Sequence, residues 1–350
     1  MGKPTVSRVL GSAYALAASV LIAAQAPLSS PAARQLSVVQ FIFLTQIALL
    51  ASLPLLLISS QSRRDLVDAL SSPVNYRRLA AIFAVSTAGL ILYNVSLSRA
   101  HPVVVVGILS LAPFWGTLVA LIVTRTPIPV SPFVFFACLV AAFVGAMAVA
   151  WSQAQDDSGL VAQLLKGTWL FALPIPIFTV LSASLMVKWF SNLNVSGAVA
   201  ANILVGCIVL IPSTVILLIA RNEAIFANLE VMLLMIAGII LADAIGRVFY
   251  QKALNVTDDD DGFVTMFQNL EPAIAALISF CLAPWIEGLR FEADWGFFIG
   301  LGLTGASLFV FSWRSLLQAN QQEIAHERTF AFISFSCLLF SLEICANVVS

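Results

Sequence analysis

The sequence predicts an all-α integral membrane protein, with ten transmembrane helices arranged as two inverted five-helix repeats and an eleventh candidate at the C-terminus. Three observations predict it. Of the 350 residues 60% are hydrophobic and 10% charged, and the mean hydropathy is +0.99, which is more apolar surface than a soluble domain of this length can hide. Apolar runs of about 20 residues, enough to cross ~30 Å of hydrocarbon as helix, recur along the chain. Two stretches, one in each half, also repeat one another.

The runs occupy about 9–28, 37–58, 79–100, 103–124, 132–151, 167–187, 197–220, 230–253, 263–285 and 296–316. The first could pass for a secretory signal, because Lys3 and Arg8 precede it and Ala24-Gln25-Ala26 closes it. Pro27 would follow the cut directly, where proline is poorly tolerated, so this run is expected to remain as the first helix. The eleventh candidate, 329–349, is diluted by Ser334, Ser336, Ser341, Glu343 and Asn347.

With the N-terminus cytoplasmic, the inner segments hold Lys3, Arg8, Arg63, Arg64, Arg77, Arg78, Arg125, Lys188, Lys252, Arg314 and Arg328. The outer loops hold Arg34, Arg99, Lys166, Arg221 and Arg290. That excess obeys the positive-inside rule and places the chain in a cell inner membrane or plasma membrane. No extramembrane segment is long enough for a folded domain; 59–78 suits an amphipathic stretch on the inner surface.

Several function classes fall away. A net charge of −1 gives no basic field for nucleic acid. Cys138, Cys207, Cys281, Cys337 and Cys345 are widely spaced without a CxxC pair, and His101 and His326 stand alone. Neither a disulfide framework nor a metal site is expected, and no cofactor or enzyme constellation is visible.

The repeat is short but in step. "LYNVSLSRA" (92–100) and "FYQKALNVT" (249–257) align Tyr93 with Tyr250, Asn94 with Gln251 and Leu97 with Leu254. Just beyond, "SLAPFWGTLVAL" (110–121) matches "NLEPAIAALISF" (269–280) through Leu111-x-Pro113 and Leu270-x-Pro272. Five helices per half is odd, so the second copy enters the membrane from the other side. Such inverted repeats are a mark of secondary transporters, which place substrate near the midplane between the halves. The expected organisation is residues 7–151 for the first repeat, 167–316 for the second and 317–350 for a C-terminal extension.

These two segments together resemble the third-and-fourth and eighth-and-ninth helices of the drug/metabolite transporter superfamily, in its EamA-like branch. The resemblance covers about residues 7–316. It implies a ten-helix carrier of small organic solutes such as amino acids, metabolites or drugs, with export common and uptake or exchange also represented. The motif most like the family's is Leu270-Glu271-Pro272; the first half has Leu111-Ala112-Pro113, so the acidic member is missing there.

Ionisable groups in membrane helices are costly enough to mark function when a partner can be named. Asp243 and Arg247, four apart, are expected to neutralise each other on one helix face, which Tyr250 extends. Arg247 and Glu271 are expected at similar depth, so Arg247 could meet either carboxylate. Pro272 should kink its helix and free the carbonyl of Gln268, gathering a carbonyl, an amide and the Glu271 acid on one face. Pro113 is the matching kink. Tyr93 and Asn94 occupy the repeat-equivalent positions, and Trp115 is an aromatic group at membrane depth. For each of these, a packing role competes with a binding role; a permanent Asp243–Arg247–Glu271 cluster could simply lock two helices.

Three patterns are decoys. Gly300-x-Gly302-x-x-Gly305 lies within an apolar helix with no strand before it, so close helix packing explains it better than a nucleotide. Asn94, Asn194 and Asn255 begin glycosylation sequons, but none lies in an expected outer loop. The acidic run Asp258–Asp261 lacks the alternation of a calcium loop.

The residues read as a carrier working by alternating access in the lipid bilayer, the resemblance implies export of small organic solutes, and Glu271 is the candidate group for coupling to protons. Uptake or exchange of a metabolite or nucleotide sugar, a non-transporting scaffold, and a homodimer are the open alternatives.

Overall fold

The computed structural model describes residues 3–123, 130–152, 171–190, 192–225, 228–256, 267, 269–286, 289–290 and 294–319. The candidate span 329–349, the acidic run at 258–261 and Gln268 lie outside the described residues. All regular structure among the described residues is helical. Among them, eight helices are long and apolar enough to cross a membrane, and two further apolar helices, Ile175–Phe190 and Glu271–Leu282, are shorter. The chain is an all-α, multi-pass membrane protein.

The helices run in order as α1 (Lys3–Ala23), α2 (Gln25–Gln35), α3 (Val38–Leu56), α4 (Ser60–Leu70), α5 (Pro73–Arg99), α6 (Pro102–Leu109), α7 (Ala112–Val123) and α8 (Pro132–Ser152). The second half continues with α9 (Ile175–Phe190), α10 (Val195–Ala220), α11 (Leu229–Ile239), a π-helical segment (Ile240–Gly246), α12 (Arg247–Val256), α13 (Glu271–Leu282) and α14 (Trp295–Ala319).

Local chemistry sets the starts. Ser37 and Gln40 form a capping box on α3: the Gln40 amide donates to Ser37 Oγ (3.2 Å), and the Ser37 amide donates to Gln40 Oε1 (2.8 Å). Pro73 and Pro102 stand in the first turns of α5 and α6, where a missing N–H leaves no bond unmade. The expected first span ran only to residue 28. It instead continues through Ala24 into α2, giving Leu10–Gln35, because Ser29, Ser30 and Ala32 at its far end are buried against neighbouring helices rather than wetted.

Packing sets the arrangement. α3 lies against α10, α1 along the π-segment and α12, and α2 along α11; α9 lies along α5 and α7, and α13 touches α1 and α6. The closest pair is α8 with α14. A Cβ added at Gly300 would stand 2.6 Å from the Gly145 carbonyl and 2.8 Å from the Val149 amide, so only glycine permits this approach. The glycine pattern read as a decoy is thus a packing seam. Thr304 fills it, donating to the Gly300 carbonyl (2.9 Å) and the Ala142 carbonyl (3.3 Å).

The outward surface is apolar, as lipid requires: Phe133 is 83% exposed and Ile122 78%. Trp151, Trp285 and Trp295 are exposed at helix ends, where the sequence places interfacial anchors. Within the 59–78 stretch, Ser60–Leu70 form α4, amphipathic as expected, with Ser62, Asp65 and Ala69 turned inward, and the residues from Pro73 on open α5. Buried Asp65 accepts from the Asn194 amide (2.9 Å) and from Gln61 Nε2 (2.8 Å), which fastens α4 to the start of α10. Gly197 makes room, since a Cβ there would stand 2.7 Å from the Asp65 Cβ.

Candidate functional site

Both Leu-x-Pro motifs open a helix. In the first half α6 stops at Leu109, Ser110 and Leu111 turn, and α7 begins at Ala112. In the second, Asn269 and Leu270 turn and α13 begins at Glu271. The expected kink at Pro113 is instead an interruption between α6 and α7, and Pro272 stands in the first turn of a helix that starts at Glu271. The reason is the same proline chemistry taken further: Pro113 and Pro272 sit in first turns, where no backbone donor is needed, and the chain yields before them instead of bending around them. The freed carbonyl expected at Gln268 lies outside the described residues.

Glu271 is the first residue of α13, half-buried, with no hydrogen-bond or ion-pair partner among the described residues. Two things brace the turn before it. Buried Asn269 donates through Nδ2 to Ser312 Oγ of α14 (3.0 Å). The Ile274 amide donates to the Leu270 carbonyl (2.9 Å). Neither Asn269 nor Ser312 was singled out by sequence reasoning; the adjacency of an amide to the Leu-Glu-Pro motif was the available signal.

Asp243 lies within the π-segment and Arg247 opens α12. The guanidinium donates through Nη2 (2.7 Å) and Nε (3.1 Å) to one carboxylate oxygen, Asp243 Oδ1. The expected pair is formed. Arg247 turns to Asp243, and no Arg247–Glu271 bridge is present among the described residues. The Arg247 side chain is 49% exposed and that of Asp243 20%, so the pair stands at a protein boundary rather than in the packed core.

Tyr93 of α5 packs against the apolar cluster that holds Ile239, the residue just before the π-segment that carries Asp243. Its ring packs against two apolar clusters that also hold Ala273, Ile274, Ala275 and Ala276 from the first turns of α13. Tyr93 thus connects the Asp243–Arg247 helix to the Glu271 helix. The neighbouring Asn94 is 1% exposed, and its Nδ2 has no partner, which rules out a glycan there. Tyr250 sits one step away, packed with Tyr14, Phe267 and Ala253. Lys252 stands 5.8 Å above the Tyr14 ring and 5.9 Å above that of Phe249.

Trp115 is not brought to this group. It packs with the cluster of Phe114, Phe135 and Phe311 beside α8, its indole Nε1 buried without a partner. A small apolar hollow of about 10 Å³ opens near this region, lined by Ile108, Leu111, Phe143, Ala146, Met147, Ala150 and Leu173.

At the far end of the bundle, His101 caps α6. The Val103 amide donates to its Nδ1 (3.3 Å) and its Nε2 bonds the Leu289 carbonyl (3.0 Å). One ring nitrogen accepting and the other donating defines a neutral imidazole. Burial, the largest cause, together with nearby Arg34, holds its pKa down to about 4 despite the bond to Leu289. The same end carries Ser37 Oγ donating to a Glu223 carboxylate oxygen, Gln40 Nε2 donating to the Ala224 carbonyl (2.7 Å), and Asn228 Nδ2 donating to Gln35 Oε1 (3.1 Å).

No metal-capable cluster of His, Cys, Asp and Glu occurs among the described residues. No family model matches the chain, and no curated protein does either. Solved structures do match. One, described only as "Crystal structure of protein", aligns over 91% of this chain and 99% of its own with a TM-score of 0.54 at 14% identity. A likeness at that identity shows a shared fold and nothing of substrate or mechanism.

Proposed function

We infer that the chain is a secondary transporter of the drug/metabolite type, EamA-like, which exports small organic solutes by alternating access between two inverted five-helix repeats. One observation carries the reading: the principal helix contacts map onto themselves when the halves are exchanged. Contact of α1 and α2 with α11 to α12 becomes contact of α9 with α5; α1 with α13 becomes α9 with α7; α3–α10 and α8–α14 return to themselves. A packing-only bundle has no need of that exchange, whereas a carrier uses it to present one site to either side.

The helix starts at the two proline motifs support the same reading. Broken helices at corresponding positions of the two halves mark substrate sites in carriers of this design, and both motifs open a helix here. Glu271, at one of them, is the candidate coupling group, taking and releasing a proton or contacting solute. Tyr93, Asn94, Asp243, Arg247 and Tyr250 are the further candidates for contact with solute.

The test is flux in proteoliposomes against a panel of amino acids, metabolites and cationic drugs, with and without an imposed pH gradient. Gradient-dependent movement of at least one solute is expected. A purified, folded protein that moves none of them, with Glu271→Gln and Arg247→Met indistinguishable from wild type in cells, would favour a scaffold.

A further inference from the structure

The two halves differ by one residue, and the π-segment holds it. Gly89 and Gly246 are separated by the same number of residues as Tyr93 and Tyr250. Their packing partners keep that separation too: a Cβ at Gly89 would stand 3.2 Å from the Phe178 Cβ, and one at Gly246 would stand 3.1 Å from Ile22 Cγ1 and 3.5 Å from the Leu21 Cβ. Leu21 and Phe178 are the same distance apart in sequence as the two glycines.

Upstream of the π-segment the register changes. Fully buried Met235 matches fully buried Leu79, and buried Gly238 matches Ile82, each pair one residue closer in sequence than the downstream pairs. Gly238 faces Leu28, while Ile82 packs in the cluster that holds Leu185. Those two leucines keep the downstream separation. The partner helices are therefore in step throughout, and the surplus residue lies between Gly238 and Gly246.

An inserted residue would turn everything beyond it by ~100° in a regular α-helix. A π-turn absorbs that rotation, so both ends of α11–α12 keep their contacts with α1 and α2. Such bulges are uncommon and concentrate at functional positions. This one contains Asp243, whose counterparts in the uninterrupted α5 are the uncharged Ser86 and Thr87. The surplus residue and the charge pair occur together, in one half only.

We propose that the π-bulge migrates between Gly238 and Gly246, within residues 239–245, during the working cycle, re-aiming Asp243 while the helix ends stay seated. Passing the bulge across a position exchanges one set of i→i+5 backbone bonds for i→i+4 bonds and turns the intervening residue by ~100°. For Asp243 this switches its carboxylate between Arg247 and the side facing Tyr93. The seats at Gly238 and Gly246 confine the motion, so no helix has to slide.

Amide hydrogen exchange in proteoliposomes reads the motion without any solute. Backbone amides of 240–246 are expected to exchange about tenfold faster or more than those of 83–89, the matching stretch of α5. Equal protection of the two stretches would overturn the proposal. Deleting Ala244 should restore a regular helix, slow exchange to the α5 level and abolish flux; a deletion variant that transports like wild type would also overturn it. Only the flux arm rests on the transport reading. A wild-type protein that moves no solute yet shows the exchange asymmetry would refute transport and leave the migrating bulge standing, and should the deletion variant fail to fold, the wild-type comparison still decides.

Discussion

α7 and α13 open in the same way and carry different chemistry. Each follows a turn and a leucine, and each has its proline in the first turn, but Ala112 starts one and Glu271 the other. Likewise α5 is a continuous helix with Ser86 and Leu90 where α11–α12 has a π-segment, Asp243 and Arg247. The two openings match in frame, and in each compared pair only the second-half member is charged. Helix breaks and small-residue seams are thus set by the packing plan, whereas ionisable groups are additions to it, retained at a cost in membrane stability.

The largest effect is expected from damage to the frame. Gly300→Val places carbon against the Gly145 carbonyl at a seam with no slack, and should cost more than about 3 kcal/mol or prevent folding, read as loss of a monodisperse peak after solubilisation. Matching the charges comes next. Ala112→Glu adds a carboxylate at the uncharged opening and is expected to cost on the order of 3 kcal/mol, read as a lowered unfolding midpoint in detergent. Survival without loss would show that the first opening is already built to hold a charge.

Arg247→Met strands the Asp243 carboxylate. Its cost should be about 2 kcal/mol, below that of a fully buried pair because half the Arg247 side chain is exposed, and adding Asp243→Asn should recover most of it. A double variant no better than the single would mean that the pair contributes nothing as a pair.

His101 predicts a pH effect of similar or smaller size. Its folded pKa of about 4 lies below the ordinary 6.5, so the unfolded chain binds the proton more readily between those values. Stability from this residue is fully present above pH 6.5 and is lost as pH falls toward 4, by at most about 3 kcal/mol. His101→Gln should flatten that part of the stability profile; an unchanged slope would assign it elsewhere. The smallest effect belongs to Glu271→Ala, which makes the two openings alike and should leave stability within about 0.5 kcal/mol of wild type or above it, since it removes a costly charge.

Much of the frame was legible because lipid imposes simple rules. Span length and the exposed tryptophans at helix ends follow from hydrocarbon thickness and interfacial chemistry, and the boundaries of α3, α8 and α10 fall close to the expected runs. The Asp243–Arg247 contact was legible from spacing. The helix breaks were not, because a proline in an apolar run permits either a kink or a restart, and the choice depends on what braces the turn, here Asn269 against Ser312. The π-segment was hidden for a related reason: one surplus residue leaves no mark in composition, and only the burial of Met235, Gly238 and Gly246 against their partners exposes it. Tyr93 was found through its repeat position, but its place between Asp243 and α13 required the packing.

The central claim is that Glu271, the unmatched carboxylate at a helix opening, couples solute movement to protons. The most direct measurement is initial flux of the best-transported solute in proteoliposomes across a pH series, comparing wild type with Glu271→Gln. The account predicts a pH-dependent rate in wild type, and in the variant at least about tenfold slower flux that no longer responds to pH. Equal rates with the same pH profile in both proteins would contradict it.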